Sequence, residues 1–211
     1  MSAGQPTIIT ERLRLRPFTS DDAEAVTALV SDRRIAADTL AIPHPYERAL
    51  AESWLAGHAG AFARGESATF AVVALDSGAL VGCVGLGISR EHQRAEIGWW
   101  IGVPYWGRGY CTEAAEAVMR WALETLGLHR IDAHHLSRNP ASGRVMQKLG
   151  MQHEGKLRGH VRKWGVQEDV ELYGVLKEEF VDRESRGGRA GRAAEREDPA
   201  TRATFATRDQ P

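Results

Sequence analysis

The stretch from Ala95 to Ala114, A-E-I-G-W-W-I-G-V-P-Y-W-G-R-G-Y-C-T-E-A, constrains the fold more than any other part of the chain. Ile97, Trp99 and Ile101 alternate with Glu96, Gly98 and Trp100, the period of a half-buried strand. Pro104 stops the strand, and Trp106-Gly107-Arg108-Gly109-Tyr110-Cys111 reads as a tight turn. From Thr112 onward, Glu113, Ala114, Ala115, Glu116, Ala117, Val118 and Met119 favour helix. A strand, a glycine turn and a helix N-terminus in succession make an anion site. Backbone N–H groups converge in the turn, and the helix dipole adds partial positive charge. Such a site suits a diphosphate.

Two common diphosphate loops do not fit. Lys and Ser/Thr are missing from the places a Walker loop needs them, and Gly107-Arg108-Gly109 is not followed by the third glycine of a dinucleotide fingerprint. The rest of the chain also argues against a doubly wound cofactor domain. Leu13, Leu15 and Phe18 alternate with Arg12, Arg14 and Arg16, giving a first strand over residues 7–18. Thr19 or Ser20 then caps a helix, with Asp21, Asp22 and Glu24 in its first turn. Ser31–Tyr46 reads as a loop. A helix follows from Glu47 to Arg64, with Leu50, Trp54, Leu55, His58 and Phe62 on or beside one face and His58 partly buried. Thr69–Leu75 and Leu80–Ile88 pair across an Asp76-Ser77-Gly78 turn. The long helix from Thr112 ends at Gly127, and a strand occupies Leu128–Leu136. A short helix runs from Pro140 to Leu149, and Met151–Arg162 and Asp169–Leu176 are the last strands. The order β-α-α-β-β-β-α-β-α-β-β predicts a mixed α/β sheet with helices on its faces.

Composition removes several functions. With 27 basic and 28 acidic residues and a net charge of −1, the chain carries no nucleic-acid footprint. Two cysteines give neither a disulfide framework nor zinc spacing. His134 and His135, adjacent on a strand, point to opposite faces and cannot chelate one metal together, so no metal is implied. No apolar run approaches the ~20 residues of a membrane span, and Met1–Pro6 lacks the regions of a signal peptide, so the expected location is cytoplasmic. Residues 183–211 hold seven Arg, five acidic residues and one aromatic, Phe205, and read as a flexible tail behind a domain over residues 8–180.

The glycine turn resembles the acyl-CoA pyrophosphate loop of the GNAT superfamily of N-acetyltransferases, Gln/Arg-x-x-Gly-x-Gly/Ala. Trp106 stands where Gln or Arg is commoner, Gly109 matches, and Cys111 fills the small-residue position. The form Trp-Gly-x-Gly-Tyr-x-Thr-Glu-Ala is similar to the RimJ/RimL-type branch, as are Glu11-Arg12-Leu13 through Pro17 and Asn139-Pro140-Ala141-Ser142. Lys148-Leu149-Gly150-Met151, with Met151 for the usual Phe, Trp164-Gly165 and Asp169 through Tyr173 continue the likeness. The resemblance implies a GNAT acyl-CoA N-acyltransferase fold, whose central sheet splays at its middle to admit the CoA arm.

It also implies acetyl transfer from acetyl-CoA, as co-substrate, to a primary amine, either a protein N-terminal α-amine or a small amine. The amine must attack in neutral form, so a base must take its proton. Glu96 on the opening strand is the candidate base, directly or through a water, with Asp169 and Glu171 as alternatives. The oxyanion needs fixed donors, expected from main-chain N–H groups near Trp100 and Ile101, where GNAT strands carry a bulge. Trp106, Gly107, Arg108, Gly109, Tyr110, Cys111 and Thr112 form the expected diphosphate cradle, with Arg108 able to pair with a phosphate. The family's pattern implies that Asn139 bonds the pantetheine amides and that Ser142 donates a proton to the departing thiolate. Cys111 is read as a small packing residue and not a nucleophile, and Tyr110 and Tyr173 as packing or binding residues. The acceptor pocket is expected between the Ser31–Tyr46 loop, the helix after it and the 160–170 turn. A homodimer is left open. The rival function is an acyl-CoA-binding regulatory module without turnover.

Overall fold

The structure, a computed structural model, describes residues 4–181 and Arg183. The segment read as a flexible tail lies, apart from Arg183, outside the described residues. Eight strands form one sheet in the order β1-β2-β3-β4-β5-β6-β8-β7. They are β1 (Ile8–Ile9), β2 (Leu13–Pro17), β3 (Ser67–Ala74), β4 (Leu80–Ser89), β5 (Arg94–Ile101), β6 (Arg130–Leu136), β7 (Gln152–Lys163) and β8 (Val166–Leu176). Every neighbouring pair is antiparallel except β5 with β6. Four helices, α1 (Ala23–Val30), α2 (Arg33–Asp38), α3 (Arg48–Ala56) and α4 (His58–Arg64), precede β3. Helices α5 (Tyr110–Glu124) and α6 (Pro140–Lys148) flank β6 in sequence. None of the helices among the described residues is long and apolar enough to cross a membrane.

The sheet is buried on both sides by two separate cores. Leu13, Leu15, Phe70, Val84, Ile97 and Ile131 face α5 and α6, where Val118, Met119, Leu123, Met146 and Leu149 meet them. Ala71, Val73, Cys83 and Trp100 face the other way, against Val26 and Val30 of α1, Ile35 of α2, and Ala51 and Leu55 of α3. Trp100 and Ile101 are therefore both buried although they are neighbours. The strict in–out alternation expected of β5 breaks at Trp100 because the sheet end has no solvent face.

Several boundaries differ from the sequence reading. Residues 7–18 form a hairpin, in which Ile8 pairs with Leu15, where one strand was expected. Thr19 does cap the turn after it, through a capping box with Asp22, but a short 3-10 turn at Ser20–Asp22 comes before α1. Asp22 is buried and bonded by both Nη atoms of Arg16 at 2.7 Å. The Ser31–Tyr46 loop contains α2, capped by the Asp32 side chain on the Arg34 N–H. The helix expected from Glu47 to Arg64 is two helices broken at Gly57, and Leu50 faces solvent. The β7–β8 turn is tighter than expected. Trp164 and Gly165 both have positive φ, the geometry of a two-residue hairpin turn.

One glycine fixes how the end of β5 lies. A Cβ at Gly82 would stand 2.4 Å from the Trp100 carbonyl oxygen and 2.6 Å from Ile101 Cδ1. The missing side chain lets the end of β5 press against β4, and the Gly102 N–H donates to the Val81 carbonyl at 2.9 Å just beyond. Gly82→Ala is expected to lower stability by about 1–3 kcal/mol, the usual range for overpacking, seen as a lower urea midpoint. An unchanged midpoint would show that the β5 end does not depend on this contact.

Candidate functional site

Strands β5 and β6 run together for three residues only, pairing Arg94, Ala95 and Glu96 with Arg130, Ile131 and Asp132. Beyond Glu96 they diverge, while β5 stays in continuous register with β4 as far as Ile101 opposite Gly82. The bulge expected near Trp100 and Ile101 is absent, and the register shift in this part of the sheet lies between Val72 and Val73 of β3. The fork arises from the loss of a neighbour on one side of a regular strand.

The alternation of the ladder decides which N–H groups the fork leaves free. Gly102 donates to β4, so the even-numbered peptides of β5 point to β4 and the odd-numbered ones to the fork. The donors directed into the gap are thus the N–H groups of Trp99 and Ile101, and that of Trp100 belongs to the β4 ladder. The Ile101 carbonyl also points away from β4, and it accepts a 2.6 Å hydrogen bond from Trp106 Nε1. Trp106 replaces the Gln or Arg of the expected pattern with a side chain that ties the turn to the strand end.

A cavity of about 350 Å³ fills the fork. Its walls are Trp99, Trp100 and Ile101 from β5, Trp106, Gly107 and Gly109 from the turn, and Tyr110, Cys111 and Thr112 from α5. Asn139 and Ser142 face them from the start of α6, and Arg34 and Asp38 of α2, with Thr39 just after it, close another side. The structure brings together all the expected cradle residues except Arg108, whose exposed side chain stacks its guanidinium on Tyr105 at 5.6 Å. Helix α5 starts at Tyr110, two residues earlier than the sequence suggested. Gly109, with φ of +80°, is its N-cap, and the first intrahelical bond runs from the Glu113 N–H to the Gly109 carbonyl. The N–H groups of Tyr110, Cys111 and Thr112 precede that bond and have no helical acceptor.

The cradle is braced from behind. Arg12 Nη1 donates to the Arg108 carbonyl at 2.9 Å, and Arg12 pairs with Glu113 at 2.6 Å. Glu113 also accepts from Thr10 Oγ1 at 2.6 Å, and these hydrogen bonds hold its carboxyl below the usual range against the opposing effect of burial. Three cations that sequence reasoning passed over line the same cavity: Arg34 of α2, and Arg144 and Lys148 of α6. Residues 144 and 148 are four apart on a helix, a spacing that could have signalled a shared face.

Across the fork, Asn139 caps α6. Its Oδ1 accepts from the Ser142 N–H at 3.3 Å and its Nδ2 donates to Ser142 Oγ at 3.1 Å. Burial raises the Cys111 thiol well above its ordinary value, so the thiolate a nucleophile needs is suppressed. Asp169 and Glu171 are engaged elsewhere, Asp169 by Lys156 at 2.9 Å and Glu171 by Ser137 at 2.6 Å and His153 at 2.8 Å. The Ser31–Tyr46 segment contributes to the cavity through α2. Arg138, between β6 and α6, holds that helix in place, donating to Asp38 and Glu168 at 2.7 Å each and to the Ala37 carbonyl at 2.6 Å.

Glu96 does not line this cavity. It sits where the strands part, on the face of the sheet that α1–α3 cover further along, with Oε1 3.2 Å from His134 Nδ1. His134 lies two residues past the last β5–β6 pair, on the same face. Alternation gave its face correctly, but the partner comes from a strand 38 residues away and leaves no local signal. The pair holds the Glu96 carboxyl below its usual range and raises the His134 imidazole, against the burial that acts the other way on each.

Comparison with known proteins follows the same outline. The family model of the acetyltransferase (GNAT) domain matches residues 12–152. An uncharacterised N-acetyltransferase of Bacillus subtilis (strain 168), YoaA, is 31% identical over 174 residues, covering 82% of this chain and 97% of that protein. The crystal structure of a GNAT-family acetyltransferase from Bacillus anthracis is 29% identical with a TM-score of 0.73, covering 82% of this chain and 99% of its own. A RimL ribosomal L7/L12 α-N-protein acetyltransferase in complex with coenzyme A shares the fold, with a TM-score of 0.76 at 18% identity over 81% of this chain and 98% of its own.

The His134–Glu96 pair has a definite pH window. His134 is raised, so its contribution to stability is complete below the ordinary imidazole pKa and is lost as pH rises through the folded value. Glu96 is lowered, so on the acid side the contribution is lost as pH falls through its folded value. In Glu96→Gln the NMR titration midpoint of His134 is expected to move down. A midpoint that stays where it is would show that the pair does not form in solution.

Proposed function

The chain belongs to the GNAT family of acetyltransferases, and on that footing we propose that it moves an acetyl group from acetyl-CoA to a primary amine by direct attack in a ternary complex, in the manner of the RimJ/RimL-type branch. The observation that carries this reading is the fork. It opens on a cavity with an uncapped helix N-terminus at one end, two free strand N–H groups in the middle and the Asn139–Ser142 pair opposite. A diphosphate fits the N–H groups of Tyr110, Cys111 and Thr112, with Arg144 and Lys148 supplying charge. Gly107 and Gly109 leave no side chain between the backbone and that anion. Asn139 offers its amide to the pantetheine arm.

The acetyl carbonyl then lies against the N–H groups of Trp99 and Ile101, which stabilise the tetrahedral oxyanion. The amine nitrogen forms its bond to the carbonyl carbon, its proton passes through a water to Glu96, which stands just outside the cavity where the strands part, and the carbon–sulfur bond breaks. Ser142 Oγ–H donates to the departing thiolate. The RimL relative's protein substrate supports an N-terminal α-amine as one acceptor class, beside small amines.

The test is release of free CoA thiol from acetyl-CoA in the presence of butylamine or a trialanine peptide, with calorimetry of acetyl-CoA binding alongside. Binding with no turnover on a broad amine panel would favour a regulatory module. Gly109→Val places a β-branched residue at φ of +80°, a strain of about 1–3 kcal/mol. It is expected to abolish acetyl-CoA binding while far-UV circular dichroism stays native. Normal affinity in that variant would remove the turn from the cradle.

A further inference from the structure

The second of the two adjacent histidines on β6 has no part in the steps above, yet it packs against the helix that carries Asn139 and Ser142. Ile131 and Ala133 of β6 belong to the core beneath α5 and α6, and alternation sends His135 to the same side. Its ring is buried and lies against Tyr173 of β8, with centroids 5.7 Å apart. Nδ1 stands 2.8 Å from the Leu136 carbonyl oxygen. A carbonyl only accepts, so Nδ1 carries a proton and donates it. Nε2 is buried and has no hydrogen-bond partner among the described residues.

What Nε2 faces is Gly143. The buried side of α6 is Gly143, Met146 and then Leu149, and the first of these, next to Ser142, has no side chain. A Cβ there would stand 2.8 Å from Nε2 and 3.2 Å from Cε1. Gly143 lies inside the helix and has no positive φ, so the backbone does not require glycine, and glycine weakens a helix. What it provides is a notch for the ring. The ring cannot swing aside freely, because the Leu136 bond and Tyr173 hold it. The Leu136 oxygen also accepts the Asn139 N–H at 2.7 Å. His135 thus meets the start of α6 at two points, through that shared oxygen before Ser142 and at Gly143 directly after it.

We propose that His135 is a positioning residue for acetyl transfer: its ring, seated in the notch at Gly143 and bonded to Leu136, sets how closely Asn139 and Ser142 stand to the fork. The inference rests on the acetyl-transfer reading above, which gives Ser142 the departing thiolate, and adds what fixes Ser142 there. His135 is not among the residues that line the fork cavity, so it acts through α6. A methyl group at position 143 would have to retreat from 2.8 Å to the 3.4–4 Å of ordinary contact. The start of α6 would back away from the sheet with it, and a displacement of about 1 Å at a reacting group costs on the order of a hundredfold in rate.

The test uses the full chain and follows release of CoA thiol from acetyl-CoA with trialanine as acceptor. Gly143→Ala is expected to lower kcat by about tenfold or more while the KM for the peptide stays within about twofold of the parent value. His135→Asn keeps an N–H donor for Leu136 but withdraws the ring from Gly143. Alone it is expected to lower kcat by about threefold or more. In the His135→Asn background, Gly143→Ala lowers kcat no further, because the methyl group enters vacated space. The better helix propensity of alanine acts equally in both backgrounds, so the difference between them isolates the contact. The proposal is overturned if Gly143→Ala lowers kcat equally in both backgrounds, if it lowers the thermal midpoint and leaves kcat unchanged, or if His135→Asn keeps the parent kcat. The last of these decides the matter even where Gly143→Ala fails to fold. Absence of turnover by the parent chain would take down the acetyl-transfer reading and this one together, whereas turnover with any of those three results removes this one alone.

Discussion

The structure depends on β5 having a partner along its whole length on one side and for three residues on the other. Two sets of contacts fix the strand ends at the fork. Gly82 lets the end of β5 settle onto β4, and Trp106 ties the Ile101 carbonyl to the turn beyond it. Just past the end of β6, Arg138 is bonded to α2 and to Glu168 of β8. Both strand ends are thus anchored, and the N–H groups of Trp99 and Ile101 left in the gap lack a strand partner at a cost the fold must offset. A ligand that bonds those groups recovers part of that cost.

The same reasoning links the fork to the helix next to it. The chain leaves β5, makes one turn through Gly107 and Gly109, and starts α5 with three N–H groups directed at the same cavity. Positive φ at both glycines is what makes the reversal short enough for strand end and helix start to share one space. The Arg12–Glu113 pair and the Thr10 bond then fix the helix start to the first hairpin. The cavity is therefore braced by the N-terminal hairpin, the central strands and α6, which places it in the rigid part of the fold.

Much of this was legible because it is local. Leu13 and Leu15 against Arg12 and Arg14, Pro104 before the turn, Asn139 before Pro140 and Gly150 after α6 each carry their signal within a few residues. The failures share a cause. Helix α2 is six residues long, too short for periodicity to show, and it is held by Arg138 from elsewhere in the chain. Trp100 looked outward because alternation assumes one wet face, and this end of the sheet has a core on each side. The donors are expected near Trp100 and Ile101 on the assumption of a bulge there, whereas the observed register shift lies in the β3–β4 pairing at Val72 and Val73, and the groups that face the fork are those of Trp99 and Ile101. The strand pattern shows which face Glu96 takes, but its place outside the fork cavity and its pairing with His134 are cross-strand facts.

That division also explains why donor and acceptor differ in how well they can be read. A diphosphate is met by backbone N–H groups and glycine, so its site leaves a compact motif. An amine acceptor is met by side chains that several elements bring together, and the face of the sheet over β3, β4, β5 and β6 is built in such rows, which no short window contains. Gly85, Gly87 and Gly98 are each unremarkable in their own strands. They become a surface only when the register sets Gly85 beside Gly98 and Gly87 beside Glu96. The physical content of that face is therefore the strand register, and a one-residue slip of β5 against β4 would erase it while leaving the anion motif intact in sequence.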